Sequence, residues 1–130
     1  MHAVKKVLII DDDPSIREII RFLLEDAGYE VLEASDGEIG LDVIDRNGPF
    51  VVLVDLLMPR VDGFGVMKVV ESNPTLTAKH RYVIITANRH ALPDSFERIL
   101  AKLEVPVLFK PFDLADLLQV VNQAATTLSA

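Results

Sequence analysis

The fold of this chain is constrained most strongly by four short apolar runs, each of which ends at a polar residue. The runs cover residues 7–10, 50–54, 82–85 and 107–109, and they end at Asp11, Asp55, Thr86 and Lys110. Short runs rich in Val and Ile are typical of strands buried on both faces of a parallel sheet. Because open parallel sheets carry their functional groups beyond the carboxyl ends of the strands, we expect these polar side chains to share one edge.

Amphipathic segments lie between the runs, with apolar residues at helical spacing. The first helix begins at Asp13 and Pro14, which suit a cap and a first turn, and ends at Gly28. A short second strand follows at Val31 and Leu32. Further helices are expected at residues 37–47, 64–72, 92–103 and from 114 almost to the end of the sequence.

Residues 73–81 are expected to form a polar loop, because Asn73-Pro74 is a signal that breaks a helix. Strands and helices then alternate five times. This order predicts an α/β fold of the (βα)5 type, in which helices cover both faces of a doubly wound, five-stranded parallel sheet.

Size and charge limit the function further. At 130 residues the chain has the length of one domain, so we expect a single domain over residues 1–130 with no output domain inside it. The net charge of −7, from 13 basic and 20 acidic residues, argues against direct binding to nucleic acid or to an anionic membrane. With no cysteine, no secretory signal and no membrane helix in the sequence, we expect a cytoplasmic protein.

Three acidic residues are the strongest candidates for chemistry at the shared edge. Asp11, Asp12 and Asp55 lie close together if the first and third strands are neighbours, and a cation would then relieve their mutual repulsion. Mg²⁺ accepts carboxylate oxygens and keeps water or phosphate oxygens at its other positions. Asp13 is better explained as the helix cap, although one cap does not require three consecutive acids.

Lys110 and Thr86 complete the predicted site. A lysine ammonium that faces the acids can pair with a carboxylate and with a transferred phosphoryl oxygen, and a threonine hydroxyl can donate to the same group. These groups stabilise negative charge that arrives at Asp55, which predicts attack of its carboxylate on phosphorus to give an aspartyl phosphate. We expect no arginine at this edge and find no glycine-rich phosphate loop, so a nucleotide site is not predicted.

At these residues the chain resembles a response-regulator receiver domain, the CheY-like phosphoacceptor module of two-component signalling. The resemblance rests on VLIIDDDP at residues 7–14, VDLLMP at 54–59 with DG at 62–63, IITA at 84–87 and FKPF at 109–112. It implies a flavodoxin-like sheet with the strand order 2-1-3-4-5. It also implies that Asp55 is the phosphorylated residue, and that Asp11, Asp12, Asp55 and the backbone carbonyl of Leu57 hold Mg²⁺.

The same resemblance assigns the switch. Thr86 would be the switch hydroxyl, the small Ala87 would leave room for the phosphoryl group, and Lys110 would precede a cis peptide bond to Pro111. The family usually carries an aromatic residue shortly before the lysine, whereas this chain has Val107. Switching would therefore proceed without the aromatic rotation, or the domain would mainly relay phosphate.

The resemblance implies partners as well. A histidine kinase or a histidine phosphotransfer protein would supply the phosphoryl group, and the domain would catalyse only its own phosphorylation and dephosphorylation. The downstream protein would bind the face built from the fourth predicted helix, the fifth strand and the last helix. Pro106, which has no N–H to donate, predicts that the fifth strand is an edge strand.

Two alternatives remain at this point. The Asp11-x-Asp13 pattern is similar to the nucleophile motif of haloacid-dehalogenase-type phosphatases, although a late acidic pair and a longer chain would be needed. The second alternative is a binding module that keeps the acidic pocket but is not phosphorylated. The three histidines, His2, His80 and His90, are expected at the surface, because none lies among the acids at the strand ends.

Overall fold

A computed structural model of the chain describes residues 4–58, 60–87 and 92–128. Its five strands form one parallel sheet in the order β2-β1-β3-β4-β5, which confirms the predicted α/β class and strand order. The short terminal strand β5 lies at the edge, as Pro106 indicated. The strands are β1 (Lys6–Ile10), β2 (Glu30–Ala34), β3 (Phe50–Asp55), β4 (Arg81–Thr86) and β5 (Val107–Phe109).

Helices cover both faces of the sheet. The helices are α1 (Pro14–Asp26), α2 (Gly37–Arg46), α3 (Gly63–Glu71), α4 (Pro74–Lys79), α5 (Asp94–Leu103) and α6 (Leu114–Thr126). Helices α1 and α6 pack on one face through Ile20, Leu24, Leu117 and Val121. Because successive strand side chains point to opposite faces, Leu8 and Ile10 pack on the other side with α2, α3 and α5. No helix in the described part of the chain could span a membrane.

One helix was missed by the sequence prediction. Residues 74–79 form the short helix α4, where a loop was expected. Asn73 caps it, because its side-chain oxygen accepts hydrogen bonds from the N–H groups of Thr75 and Leu76, and Pro74 occupies the first turn. The same pairing starts α1, where Asp13 accepts from the N–H of Ser15. Asn73-Pro74 therefore begins a helix as well as ending the preceding one.

The prediction of a surface position was wrong for His80. Only 1% of its surface is exposed. It immediately precedes β4, at the end of the sheet opposite to the acids. Nδ1 accepts a hydrogen bond from the N–H of Phe50 at 3.0 Å, and Nε2 donates to the carbonyl of Ile44 at 2.8 Å. The ring also stacks on Phe50. The imidazole is buried because it satisfies two backbone groups at once. His2 and His90 lie outside the described residues.

Candidate functional site

The sheet brings the predicted acids together. Ile10 pairs with Val54, so Asp11 follows β1 directly beside Asp55, the last residue of β3. Asp11 and Asp55 are buried and Asp12 is exposed, and the three residues offer carboxylate oxygens that all lie within 4.8 Å of one another. The prediction that these acids share one edge is therefore confirmed.

Asp11 is held through its backbone and its carboxylate. Its N–H donates to the carbonyl of Ala34 at 3.1 Å, which ties it to β2. One carboxylate oxygen, Oδ1, accepts from the N–H of Asp13 at 2.9 Å, and the other, Oδ2, accepts from the Lys110 ammonium at 3.0 Å. With its residue surface fully buried, Asp11 presents a carboxylate of fixed orientation to its neighbours.

Lys110 follows the edge strand β5, and its side chain reaches two of the acids. Its ammonium lies 3.0 Å from Oδ2 of Asp11 and 3.7 Å from Oδ2 of Asp55. The backbone fixes the residue, since its N–H donates to the carbonyl of Thr86 at 2.8 Å. The peptide bond to Pro111 is cis, as the resemblance implied. Lys110 thus places one positive charge between two buried carboxylates.

Asp55 carries the clearest electrostatic signature of the site. The pKa of its carboxyl is raised to about 6, chiefly because burial disfavours the ionised form and also because the nearby Asp11 carboxylate repels a second negative charge. The Lys110 ammonium and the N–H of Leu57, 3.5 Å from Oδ1 of Asp55, oppose this rise. One ammonium is therefore too little positive charge for three acids, and an additional cation would stabilise the ionised cluster.

These residues fit a hard divalent cation. Mg²⁺ prefers oxygen ligands, is bound through few carboxylates and retains water at its remaining positions. Asp12 meets the last requirement, because its exposed carboxylate leaves one side of the cluster open to solvent. The donor set of three carboxylates and no nitrogen or sulfur matches that preference.

The remaining predicted residues surround this cluster. Thr86 ends β4 with its side chain buried, in register with Phe109 and one residue beyond the Ile85 that pairs with Asp55. Leu57 follows Asp55 by two positions, with 58% of its surface exposed. Ala87 is exposed and lines a groove that Lys110 also lines. The groove has a volume of about 420 Å³.

The sequence prediction missed one residue next to the site. Arg17 of α1 donates from Nη1 to the backbone carbonyl of Asp11 at 2.6 Å, although no arginine was expected at this edge. It approaches from a helix and not from a strand end, which is why a search of the strand ends did not include it. The available signal was a pair of arginines, Arg17 and Arg21, one turn apart on α1.

Comparison with known proteins places the chain in a family. The family model described as a response regulator receiver domain matches residues 7–122. An uncharacterised 14.6 kDa protein of Leptolyngbya boryana is 32% identical over 124 residues, which cover 93% of this chain and 90% of that protein. The chain therefore belongs to the response regulator receiver domain family, whose members receive the signal in two-component phosphorelays.

Longer relatives match over part of their length. The probable transcriptional regulator ycf27 of Porphyridium aerugineum is 47% identical over 62 residues, 48% of this chain and 26% of that protein. The chain thus matches about a quarter of the length of such curated relatives. They support receiver function, and they give no support to the phosphatase alternative or to the phosphorylation-independent one.

Solved structures agree with this assignment. The chemotaxis protein CheY4 of Vibrio cholerae is 29% identical and superposes with a TM-score of 0.78 over 94% of this chain and 99% of that one. The response regulator TrrA of Thermotoga maritima, in complex with Mg(2+)-BeF, is 25% identical with a TM-score of 0.79, covering 93% and 99% of the two chains.

Proposed function

We propose that Asp55 is the residue on which this receiver domain accepts a phosphoryl group. The observation that carries the proposal is the arrangement of Asp11, Asp12 and Lys110 around a buried Asp55 carboxylate. Three neighbouring carboxylates repel one another, and a bound cation would reduce this repulsion. The cation and the ammonium together would stabilise the oxygens of an arriving phosphoryl group. We further propose that residues 1–130 form one such domain, with no output domain among them.

The metal in this proposal is Mg²⁺. Asp11, Asp12, Asp55 and the backbone carbonyl of Leu57 would hold it, with Asp11 already fixed by Asp13 and Lys110. When bound, Mg²⁺ neutralises charge on the carboxylates and on the phosphoryl oxygens. The complex of TrrA with Mg(2+)-BeF supports this assignment, since that relative binds the ion together with beryllium fluoride.

The proposed reaction is a transfer between nitrogen and oxygen. A carboxylate oxygen of Asp55 attacks the phosphorus of a phosphohistidine, the O–P bond forms as the N–P bond breaks, and the histidine of the donor leaves with the electron pair. Lys110 then moves from Asp11 toward the new phosphoryl group, and the hydroxyl of Thr86 donates to it. Attack of water on the phosphorus then breaks the O–P bond, releases inorganic phosphate and restores the Asp55 carboxylate. The domain modifies only itself and does not turn over an outside substrate.

The donor is proposed to be a histidine kinase or a histidine phosphotransfer protein. Such a protein must reach the acids from outside, and the groove that Lys110 and Ala87 share with α1 opens beside them. Ile16, Ile19 and Leu114 give this groove an apolar surface on which an amphipathic helix of the donor could rest. We place this encounter in the cytoplasm and propose no contact with nucleic acid or membrane.

The output face in this proposal is formed by α5, β5 and α6. Val107 of β5 is half-buried and packs against the core cluster that includes Phe96 of α5. A valine has no ring to rotate into the space near Thr86, so we propose that phosphorylation shifts α5 and the backbone of β5 directly. An equilibrium shift of this kind would change the surface offered to a downstream protein.

Acetyl phosphate tests the assignment without a partner protein. With Mg²⁺ present, intact-protein mass spectrometry should show one added phosphoryl group, and EDTA should abolish it. Asp55→Asn should remain unmodified, whereas Asp13→Asn alters only the exposed cap of α1, keeps the backbone N–H that donates to Asp11, and should be modified like the wild type. Equal modification of Asp55→Asn would contradict the proposal.

A further inference from the structure

We propose that Arg17 and Glu33 form a positioning pair that holds the Asp11-Asp12 peptide in the geometry needed for cation binding, an inference that rests on the function proposed above. Neither residue lies at a strand end among the acids. Arg17 is on α1 and Glu33 is on β2, where it pairs in register with Ile9. Their effect on the site would pass through the backbone.

The first contact is made to the loop itself. Nη1 of Arg17 donates to the carbonyl oxygen of Asp11 at 2.6 Å, and this carbonyl belongs to the peptide unit that joins Asp11 to Asp12. The orientation of that peptide determines the direction in which the chain leaves Asp11. It therefore determines where the Asp12 carboxylate lies relative to Asp55.

The second contact fixes the arginine. Nε of Arg17 lies 2.8 Å from Oε1 of Glu33, and the Arg17 side chain is only 16% exposed. The guanidinium is planar and rigid, so a bond at Nε and a bond at Nη1 leave it little freedom. Glu33 is itself part of the sheet. The loop is thus connected through one side chain to β2, an edge strand of the sheet.

Arg21 shows that this role is specific to Arg17. It lies one turn further along α1, and its Nη1 is 2.8 Å from Oε2 of Glu33. Two arginines at this spacing repel each other, and Glu33 offsets the repulsion by pairing one carboxylate oxygen with each. The other hydrogen bond of Arg21 goes to the carbonyl of Val31, 2.8 Å away, and not to the acidic loop. Arg21 therefore shares the carboxylate of Glu33 without touching Asp11.

The physical need for such a pair follows from charge. Asp11, Asp12 and Asp55 repel one another before a cation arrives, and a loop that is free to move would relax by separating them. The Asp11 side chain is held by Lys110 and by the N–H of Asp13, which closes a turn over the following peptide, but neither bond is made to the carbonyl oxygen of that peptide. Arg17 makes that bond and so holds the carbonyl side of the peptide. Residues that orient metal ligands in this way typically contribute about 10- to 100-fold to metal affinity.

The experiment compares Mg²⁺ binding by the full chain as wild type and as Arg17→Gln, Arg21→Gln and Glu33→Gln. Isothermal titration calorimetry gives the Kd for Mg²⁺, and thermal unfolding in EDTA gives stability without the metal. We expect Arg17→Gln and Glu33→Gln to raise the Kd about tenfold. Arg21→Gln, the matched control, should lower the melting temperature to a similar extent but change the Kd less than about twofold. If Arg17→Gln does not fold, Arg17→Lys is used, since it keeps the charge but cannot reach both partners at once.

Each result has a definite meaning. A Kd that rises for Arg17 and Glu33 variants but not for Arg21→Gln supports the positioning role. Equal Kd changes in Arg17→Gln and Arg21→Gln, or no change in either, overturn it while leaving the proposed function intact, because the wild type still binds Mg²⁺. A wild type that binds no Mg²⁺ overturns both the positioning role and the proposed metal site.

Discussion

The Lys110 ammonium lies 0.7 Å closer to Asp11 than to Asp55, at 3.0 Å against 3.7 Å from the nearest carboxylate oxygens. Both acids are buried, so this single ammonium is the principal counter-charge within reach of two carboxylates among the described residues. Lys110 is therefore paired mainly with Asp11, one of the acids that we propose to bind Mg²⁺. In the proposed function, phosphorylation of Asp55 would draw the ammonium away from Asp11, and this exchange of partners would couple the modification to β5.

Removal of the lysine should destabilise the domain when no metal is present. In EDTA, Lys110→Met leaves two buried carboxylates without a counter-charge, and we expect a loss of about 3 kcal/mol in the free energy of unfolding. Lys102→Met is the matched control, because it breaks an exposed ion pair with Glu71 and should cost less than about 1 kcal/mol. Urea unfolding of both variants measures the difference, and similar losses would argue against a buried counter-charge at position 110.

Removal of the Asp55 charge should have the opposite effect. At pH 7 the Asp55 carboxyl is mostly ionised although burial and Asp11 raise its pKa to about 6, so ionisation disfavours the folded state. A pKa raised from 3.8 to about 6 corresponds to at most about 3 kcal/mol, and partial screening by solvent reduces this, so we expect Asp55→Asn to increase the free energy of unfolding in EDTA by about 2 kcal/mol. The same variant should show a smaller rise in melting temperature on addition of Mg²⁺ than the wild type does. Lower stability of Asp55→Asn in EDTA would contradict the account.

The donor groove can be tested by using two phosphoryl donors. Ile19 is 50% exposed in the groove beside Lys110, and a charge there should disturb an apolar partner. We expect Ile19→Lys to slow transfer from a phosphohistidine protein at least about tenfold, since 1.4 kcal/mol of lost contact has that effect. Modification by acetyl phosphate should be unchanged. Val69→Lys, at a position on α3 that is 41% exposed, is the control and should leave both rates as in the wild type.

The buried histidine predicts a dependence of stability on pH. Burial, with a smaller effect of Lys79, lowers the pKa of His80 below its usual 6.5, and protonation would place a hydrogen on Nδ1 facing the N–H of Phe50. Below pH 6.5 the unfolded chain then binds more protons than the folded one, so stability is lost as the pH falls from 6.5 toward the lowered pKa.

This measurement must be made in a variant without Asp55. The raised pKa of Asp55 increases stability as the pH falls, which is opposite to the effect of His80. Between pH 3.8 and about 6 the folded state binds the additional proton at Asp55, which favours folding as the pH falls. In Asp55→Asn, stability should decrease as the pH is lowered from about 7.5 to 5, and an added His80→Gln should remove most of that slope. Replacing His2 and His90 with Gln instead should leave the slope in place. A slope that persists in His80→Gln would assign the titration to other groups.

The positions of the site residues were predictable because strand ends are visible in the sequence. The apolar runs that end at Asp11, Asp55, Thr86 and Lys110 mark the carboxyl ends of four strands, and the parallel sheet brings those ends together. Strand order itself came from the family resemblance, because no local pattern determines which strands are neighbours.

Other features could not be predicted from local patterns. Helix α4 has one buried apolar residue, Leu76, so its sequence lacks helical periodicity. The buried His80 forms hydrogen bonds with backbone groups of two other elements. Arg17 pairs with Glu33 because α1 packs against β2. These relations join residues far apart in the chain, and only the folded structure shows them.

The most direct test of the central claim is to locate the acyl phosphate in the chain. The domain is phosphorylated by acetyl phosphate with Mg²⁺ and reduced with borohydride, which converts an aspartyl phosphate to homoserine, and the peptides are sequenced by mass spectrometry. We predict homoserine at position 55 alone, and none when EDTA replaces Mg²⁺. Homoserine at position 11, 12 or 13, or the same yield at position 55 without the metal, would contradict the account.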